Sequence, residues 1–220
     1  DWSSDVCSSD LGTFTIFGTT TVNMTVTQSQ TVIGNSDLSK IRMFRSCPDL
    51  NTVPNNLYLY ETLNGDLIIN LNGAFYAYGT VTGTLTNYGH LLPGGLDTED
   101  QHVLGNLYLE PGSSLYIDFS TNSNDRVNVG GDVFIGTNTC LHLAQLSPPN
   151  PSIAYPIILA PGSEVSGTFT NIIDGGGLVR FELIYQRFAG DQNGVYSKNT
   201  LLSFSSVAQT PNTNQVAQIG

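Results

Sequence analysis

The sequence predicts an all-β protein: a right-handed parallel β-helix, which is a solenoid of stacked coils, with a C-terminal β-hairpin cap. Two features of composition favour strands and turns, namely 23 glycines and 10 prolines in 220 residues and an abundance of Thr, Asn and Ser. A third observation is internal repetition. Copies of one pattern begin at Gly65, Gly83, Gly105 and Gly131, separated by 18, 22 and 26 residues, and a period of this length is typical of solenoids.

The first eleven residues, DWSSDVCSSDL, match the translation of a short-read sequencing adapter at every position. We therefore expect residues 1–11 to be an artefactual tail, and the natural sequence to begin near Gly12 in a gene fragment. Leaving out the three aspartates of this tail changes the net charge from −11 to −8. Leaving out Cys7 leaves Cys47 and Cys140, whose spacing fits no metal site. The sequence favours two free thiols over a disulfide.

The acidic charge and the distribution of apolar residues limit the function classes. A net charge of −11 argues against nucleic-acid binding, because phosphates require a basic surface. No run of about 18 apolar residues is present, so no membrane-spanning helix is predicted. No secretion signal opens the chain either, which implies a cytosolic protein or a missing N-terminus.

Residues 12–146 are predicted to form the β-helix coils. Residues 12–34 alternate polar with apolar or β-branched side chains, which indicates strand. The stretch 35–56 breaks this alternation and is expected to be an irregular, solvated excursion. Its cluster of Lys40, Arg42 and Arg45 leaves a basic ligand patch as the alternative.

Each later copy begins with glycine and contains two short apolar segments separated by a turn, as in GNLYLEPGSSLYIDF from Gly105 and GDVFIGTNTCLHLAQ from Gly131. One such unit cannot bury its apolar face alone, so successive copies must stack and align equivalent residues in columns. The predicted inward columns are Leu67, Leu107 and Val133, and Phe75, Leu115 and Leu141. The predicted outward columns are Tyr76, Tyr116 and His142, and Ile68, Tyr108 and Phe134.

The last third of the chain differs from the repeats. Residues 147–206 contain a proline-rich turn and longer alternating segments joined by glycine-rich turns, which suits a cap over the open end of a solenoid. Residues 207–220 begin like a helix, with Thr210 or Asn212 as N-cap and Pro211 at the first helical position. We interpret them as the start of a truncated linker helix.

Residues 79–172 resemble the C-terminal part of an autotransporter passenger, the surface-exposed β-helix of type V secretion proteins. The resemblance comes from GTLTNYGHLLPGGL followed by GNLYLEPGSSLYIDF, then SNDRVNVGG and then YPIILAPGSEVSGTF, in the family's order and spacing. In that family SNDRVNVGG corresponds to the end of a polar loop. Residues 147–206 then correspond to the cap or autochaperone region.

The resemblance implies a structural stem on the surface of a Gram-negative bacterium. The expected partner is the protein's own outer-membrane β-barrel, which these residues do not include, and a host surface or glycan is a further candidate. The stem is expected to be monomeric, without a cofactor and without enzymatic activity. An adhesin, or a pectate-lyase-like enzyme acting on polysaccharides, is the alternative.

Sequence reasoning finds only weak candidate sites. Asp97, Glu99 and Asp100 form a weak cation candidate that lacks the spacing of a calcium loop, and we expect a solvated loop there. The same expectation holds for Asp118 and Asp125. No metal, cofactor or catalytic set is predicted, and His90 and His102 are placed in loops. The candidate ligand surface consists of outward aromatic residues: Tyr76, Tyr108, Tyr116 and Phe134.

Overall fold

The computed structural model describes residues 13–16, 19–22, 26–33, 55–71, 73–94, 98–175, 179–186 and 193–202, with side chains described from Asn56 onward. Several predictions therefore lie partly or wholly outside the described residues. They concern the tail 1–11, parts of 12–34, most of the excursion 35–56 with Cys47, Asp97, parts of the cap 147–206, and the linker helix 207–220.

The described residues form strands and turns, and none of them belongs to an apolar helix that could cross a bilayer. The strands are β1 (Thr13–Ile16), β2 (Thr19–Val22), β3 (Val26–Ile33), β4 (Asn55–Leu59), β5 (Thr62–Ile69), β6 (Gly73–Ala77), β7 (Thr80–Val81), β8 (Leu85–Asn87), β9 (His90–Pro93), β10 (Asp100–Val103), β11 (Leu107–Leu109), β12 (Ser114–Phe119), β13 (Arg126–Val129), β14 (Val133–Ile135), β15 (Cys140–Gln145), β16 (Ala154–Leu159), β17 (Val165–Gly167), β18 (Asn171–Asp174), β19 (Val179–Gln186) and β20 (Gly194–Leu201).

The strands stack in three parallel columns, so the fold is a parallel β-helix, as predicted. The first stack runs from the second half of β5 through β8, β11 and β14 to β17. The second stack runs from β2 through β4, β6, β9, β12 and β15 to β18. The third stack runs from the first half of β5 through β7, β10 and β13 to β16.

The third stack corrects the prediction of two strands per copy. SNDRVNVGG was expected to end a polar loop, but Arg126–Val129 forms β13. Val127 and Val129 are 0% and 2% exposed, because side chains two residues apart point to the same face of a strand. Each full coil therefore has three sides, and all three contribute to the core.

The predicted inward columns are confirmed residue by residue. Leu85 pairs with Leu67 on one side and Leu107 on the other, and Leu107 pairs with Val133. The second column runs through Phe75, Leu91, Leu115 and Leu141. The residues of both columns are at most 1% exposed, so the columns form one continuous apolar core.

The glycines that open the copies also stack on one another. The Gly83 amide donates to the Gly65 carbonyl at 3.0 Å, Gly105 to Gly83 at 3.1 Å, and Gly131 to Gly105 at 3.0 Å. A Cβ on Gly105 would lie 2.6 Å from the Gly83 carbonyl oxygen. Successive coils can therefore approach this closely at the corner only because the residues there have no side chain.

Polar side chains after these glycines connect successive coils. The Asp66 carboxylate accepts from the Thr84 amide at 2.7 Å, the Asn106 side-chain carbonyl from Asp132 at 2.9 Å, and the Asp132 carboxylate from Glu164 at 2.9 Å. Each bond gives a corner amide an acceptor. The glycine–polar start of a copy thus helps to set the register between coils.

An antiparallel hairpin covers the C-terminal end, as the fold prediction requires. β20 pairs antiparallel with β16 and with β19, which ends the parallel series of the third stack. The Tyr185 hydroxyl accepts from the Phe169 amide at 2.9 Å, and Phe169 is buried. The second stack ends differently, since Ile172 and Ile173 of its last strand are 46% and 42% exposed.

Cys140 is disulfide-bonded, so the prediction of a free thiol at this position is wrong. Its side chain lies on the outer side of β15 and is 2% exposed. Cys7 and Cys47 lie outside the described residues. Spacing along the chain could not reveal this bond, because disulfide formation depends on distance in space.

Candidate functional site

The outward aromatic column of the second stack is closed by its own stacking. The Tyr58 and Tyr76 rings lie 4.4 Å apart at 15°, and the Tyr116 and His142 rings lie 4.1 Å apart at 12°. Burial lowers the pKa of His142 to about 4, so the imidazole that stacks on Tyr116 is neutral. In each pair, one face of each ring is used in packing.

A second outward row on the same stack is completely covered. Ala74, His90, Ser114 and Cys140 pair in register, and their exposed fractions are between 0% and 3%. His90 lies in β9 rather than in the predicted loop, and its ring nitrogen is 3.0 Å from the Tyr116 hydroxyl. This row of the second stack's outer side is therefore interior.

The outward column of the first stack is open. Tyr108 and Phe134 pair in register as predicted, but their ring centroids are 6.5 Å apart and the rings are tilted by 46°. Phe134 is 41% exposed. The next outward positions on either side are Thr86 and Ser166, which are too small to cover the rings.

Asn106 holds Tyr108 in place within this open column. Its side-chain nitrogen donates to the Tyr108 hydroxyl at 3.4 Å, and its carbonyl oxygen accepts from the Asp132 amide at 2.9 Å. Because the amide is fixed at both ends, Tyr108 has a restrained orientation. We call Tyr108, Phe134, Asn106 and Asp132 the open aromatic face.

The predicted acidic loop lines a shallow cleft of about 480 Å³, together with residues 122–124, Arg126, Ile153, Tyr155 and Pro156. Glu99 is exposed, and Asp100 forms an ion pair with Arg126. His102 lies exposed in β10 rather than in the predicted loop. Within the part of the chain that the structure describes, no group of three His, Cys, Asp or Glu side chains could hold a metal ion.

Asp125 lies buried beside the cleft, contrary to the prediction of a solvated side chain. It is 1% exposed. One carboxylate oxygen accepts from the Glu99 amide at 3.0 Å and the other from the Asp118 amide at 2.8 Å. Burial raises the pKa of Asp125 to about 8, against the opposing effect of these two donors. With both oxygens engaged, Asp125 connects the residue before β10 to β12 and is not placed to exchange a proton with a ligand.

The signal for this burial is present in the sequence. Asp125 stands two and four residues before the inward side chains Val127 and Val129, and thus on the inward side of the alternation. Asp118 lies on the opposite, outward alternation beside Ile117, and it is half-buried. Burial raises the pKa of Asp118 as well.

No protein-family model matches the chain, and none of the curated proteins is significantly similar to it.

Proposed function

We propose that this chain is the structural stem of a surface-exposed autotransporter passenger, which displays an upstream effector or adhesin on a Gram-negative bacterium. The proposal includes its own outer-membrane β-barrel as partner, a monomeric state, and no cofactor or catalytic reaction. The observation that supports it best is the unbroken inward register from Leu67 to Val165. The motifs of the family resemblance, residues 79–172, span the coils from β7 to β18.

A parallel β-helix suits a stem because its stability adds coil by coil. Each new coil pairs its backbone with the previous coil and buries its inward side chains, at about 25 cal/mol per Å² of apolar area. A passenger that emerges C-terminus first would use the finished end as a template for each following coil. Such folding would require no external energy source.

A substitution in the cap tests this proposal most directly. Val195 of β20 is 0% exposed and pairs with Ile158 of the last strand of the third stack. A buried, unpaired carboxylate at this position would oppose docking of the hairpin. Leu201 lies on the same strand and is 56% exposed, so it provides a matched control.

The test places the chain between an N-terminal epitope and an outer-membrane β-barrel in a Gram-negative host, and it measures antibody binding to intact cells. We expect surface display for the parent chain and for Leu201→Asp, and strongly reduced display for Val195→Asp. Refolding of the same variants in solution should be slowed only by Val195→Asp. Equal display and equal refolding of all three proteins would overturn the proposed role.

A further inference from the structure

We propose that the open aromatic face binds a neutral glycan, which is a function beyond that of a stem. Tyr108 and Phe134 lie on neighbouring strands with their rings tilted rather than stacked. Asn106 and Asp132 stand two residues before them on the same outward side. The face therefore combines two ring platforms with polar groups at their edge.

The rings of this face are accessible to a ligand, whereas the stacked rings of the second stack cover each other. Tyr116 and His142 cover each other at 4.1 Å, whereas Tyr108 and Phe134 are separated by 6.5 Å. The neighbouring outward side chains are those of Thr86 and Ser166. The face of an aromatic ring carries partial negative charge, which attracts the weakly positive C–H groups on one side of a pyranose ring.

The polar groups beside the rings suit a ligand rich in hydroxyl groups. Asp132 is exposed, and one of its carboxylate oxygens accepts from the Glu164 amide. Glu110 follows β11 on the same outward side and is half-buried, and burial raises its pKa. Carboxylate oxygens accept bonds from sugar hydroxyls. The Asn106 contact preorganises Tyr108, which lowers the entropic cost of binding.

The negative charge of the chain and the small size of the face favour a neutral glycan over other ligands that stack on aromatic rings. Nucleic-acid bases also stack on tyrosine, but their phosphates would be repelled by a chain of net charge −11. Sulfated glycans and anionic lipid surfaces would be repelled for the same reason. A stable protein interface needs about 800 Å² from each partner, and two rings flanked by Thr86 and Ser166 supply much less apolar surface.

The test titrates the full chain with cellotetraose, mannotetraose and N,N′,N″,N‴-tetraacetylchitotetraose by calorimetry. We expect at least one of the three to bind saturably, with little dependence on salt. Tyr108→Ala and Phe134→Ala should each weaken that binding by about tenfold, as expected for the loss of one stacking platform. Leu146→Ala is the matched control, because Leu146 is 53% exposed and lies outside the face.

Circular dichroism and the urea unfolding midpoint show whether each variant remains folded. Leu146→Ala should bind like the parent chain. The inference is wrong if none of the three oligosaccharides binds, or if binding survives both ring substitutions. It is equally wrong if a heparin tetrasaccharide or a single-stranded oligothymidylate binds more tightly than every neutral probe. None of these results bears on surface display, so the stem proposal is tested separately.

Discussion

Two outer faces of this solenoid share the same coil register, but the aromatic rings are stacked on one face and exposed on the other. On the second stack, Tyr116 and His142 lie 4.1 Å apart and nearly parallel, and the adjacent row through His90 is buried. On the first stack, Tyr108 and Phe134 are 6.5 Å apart, and Phe134 is 41% exposed. The coil register thus determines which outward side chains are neighbours. The type of side chain, and whether other residues cover it, determines whether neighbouring rings pack against each other or remain exposed.

The largest expected effect comes from disturbing the register that both faces share. Gly105→Ala would place a Cβ within 3 Å of three backbone atoms of Gly83 and Thr84. Because backbone cannot move aside cheaply, we expect this change to lower the free energy of unfolding by about 3 kcal/mol or more. Urea unfolding followed by circular dichroism measures it.

Gly162→Ala is the matched control. Gly162 has a φ of +76° but nothing within 4 Å of the added carbon, so only backbone strain of about 1–2 kcal/mol is expected. Equal losses in the two variants would show that the glycine column does not limit the spacing of the coils.

The next effect is the pH dependence due to Asp125, whose carboxylate accepts from the Glu99 amide before β10 and the Asp118 amide in β12. Its pKa is about 8 in the folded chain, against 3.8 as its ordinary value. The folded state therefore holds a proton that the unfolded state releases. The stabilisation that this proton contributes is fully present below the ordinary pKa of 3.8. It decreases as the pH rises from there and is lost once the pH has passed about 8, with a slope of at most about 1.4 kcal/mol per pH unit.

Asp125→Asn isolates this contribution. Urea unfolding between about pH 5 and pH 7.5 should show a stability difference, parent minus variant, that decreases as the pH rises. A difference that stays constant or increases would mean that Asp125 is ionised in the folded chain. The two backbone amides would then lower the pKa of Asp125 by more than burial raises it.

The smallest effect compares the two aromatic pairs directly. A double-mutant cycle of Tyr116→Ala and His142→Ala should give a coupling free energy of about 1 kcal/mol, typical of a stacked pair. The same cycle for Tyr108→Ala and Phe134→Ala should give no more than about 0.3 kcal/mol, because the rings are separated and tilted. Equal couplings would remove the distinction between the closed and open faces.

The sequence predicted the stacking because three of the copies, those from Gly65, Gly105 and Gly131, align without gaps. Once Leu107 and Val133 occupy the same position in the pattern, parallel stacking makes them neighbours, and the structure pairs them. The third side of the coil was missed because Arg126–Val129 is short and begins in a polar loop. Its alternation of Val127 and Val129 was the available signal.

The candidate sites were less predictable than the fold. Tyr76, Tyr108, Tyr116 and Phe134 were all correctly placed outward, but the pattern does not indicate what covers an outward side chain. His90 illustrates this limit, since it lies on the outer side of β9 and is only 3% exposed. The alternation with Val127 and Val129 indicates that Asp125 points inward, but it does not reveal the amide donors, Glu99 before β10 and Asp118 in β12.

The most direct test of the central claim measures how far apart the coils lie. Spin labels introduced as unnatural amino acids leave the native cysteines unchanged, and one label at Ile68 can be paired with a second at Tyr108, Phe134 or Ser166. Along this column the backbone separation should increase in equal steps to about 10, 14 and 19 Å, at about 4.8 Å per coil. Distances that do not rise in equal steps along the series would contradict the stacked coils and, with them, the proposed stem.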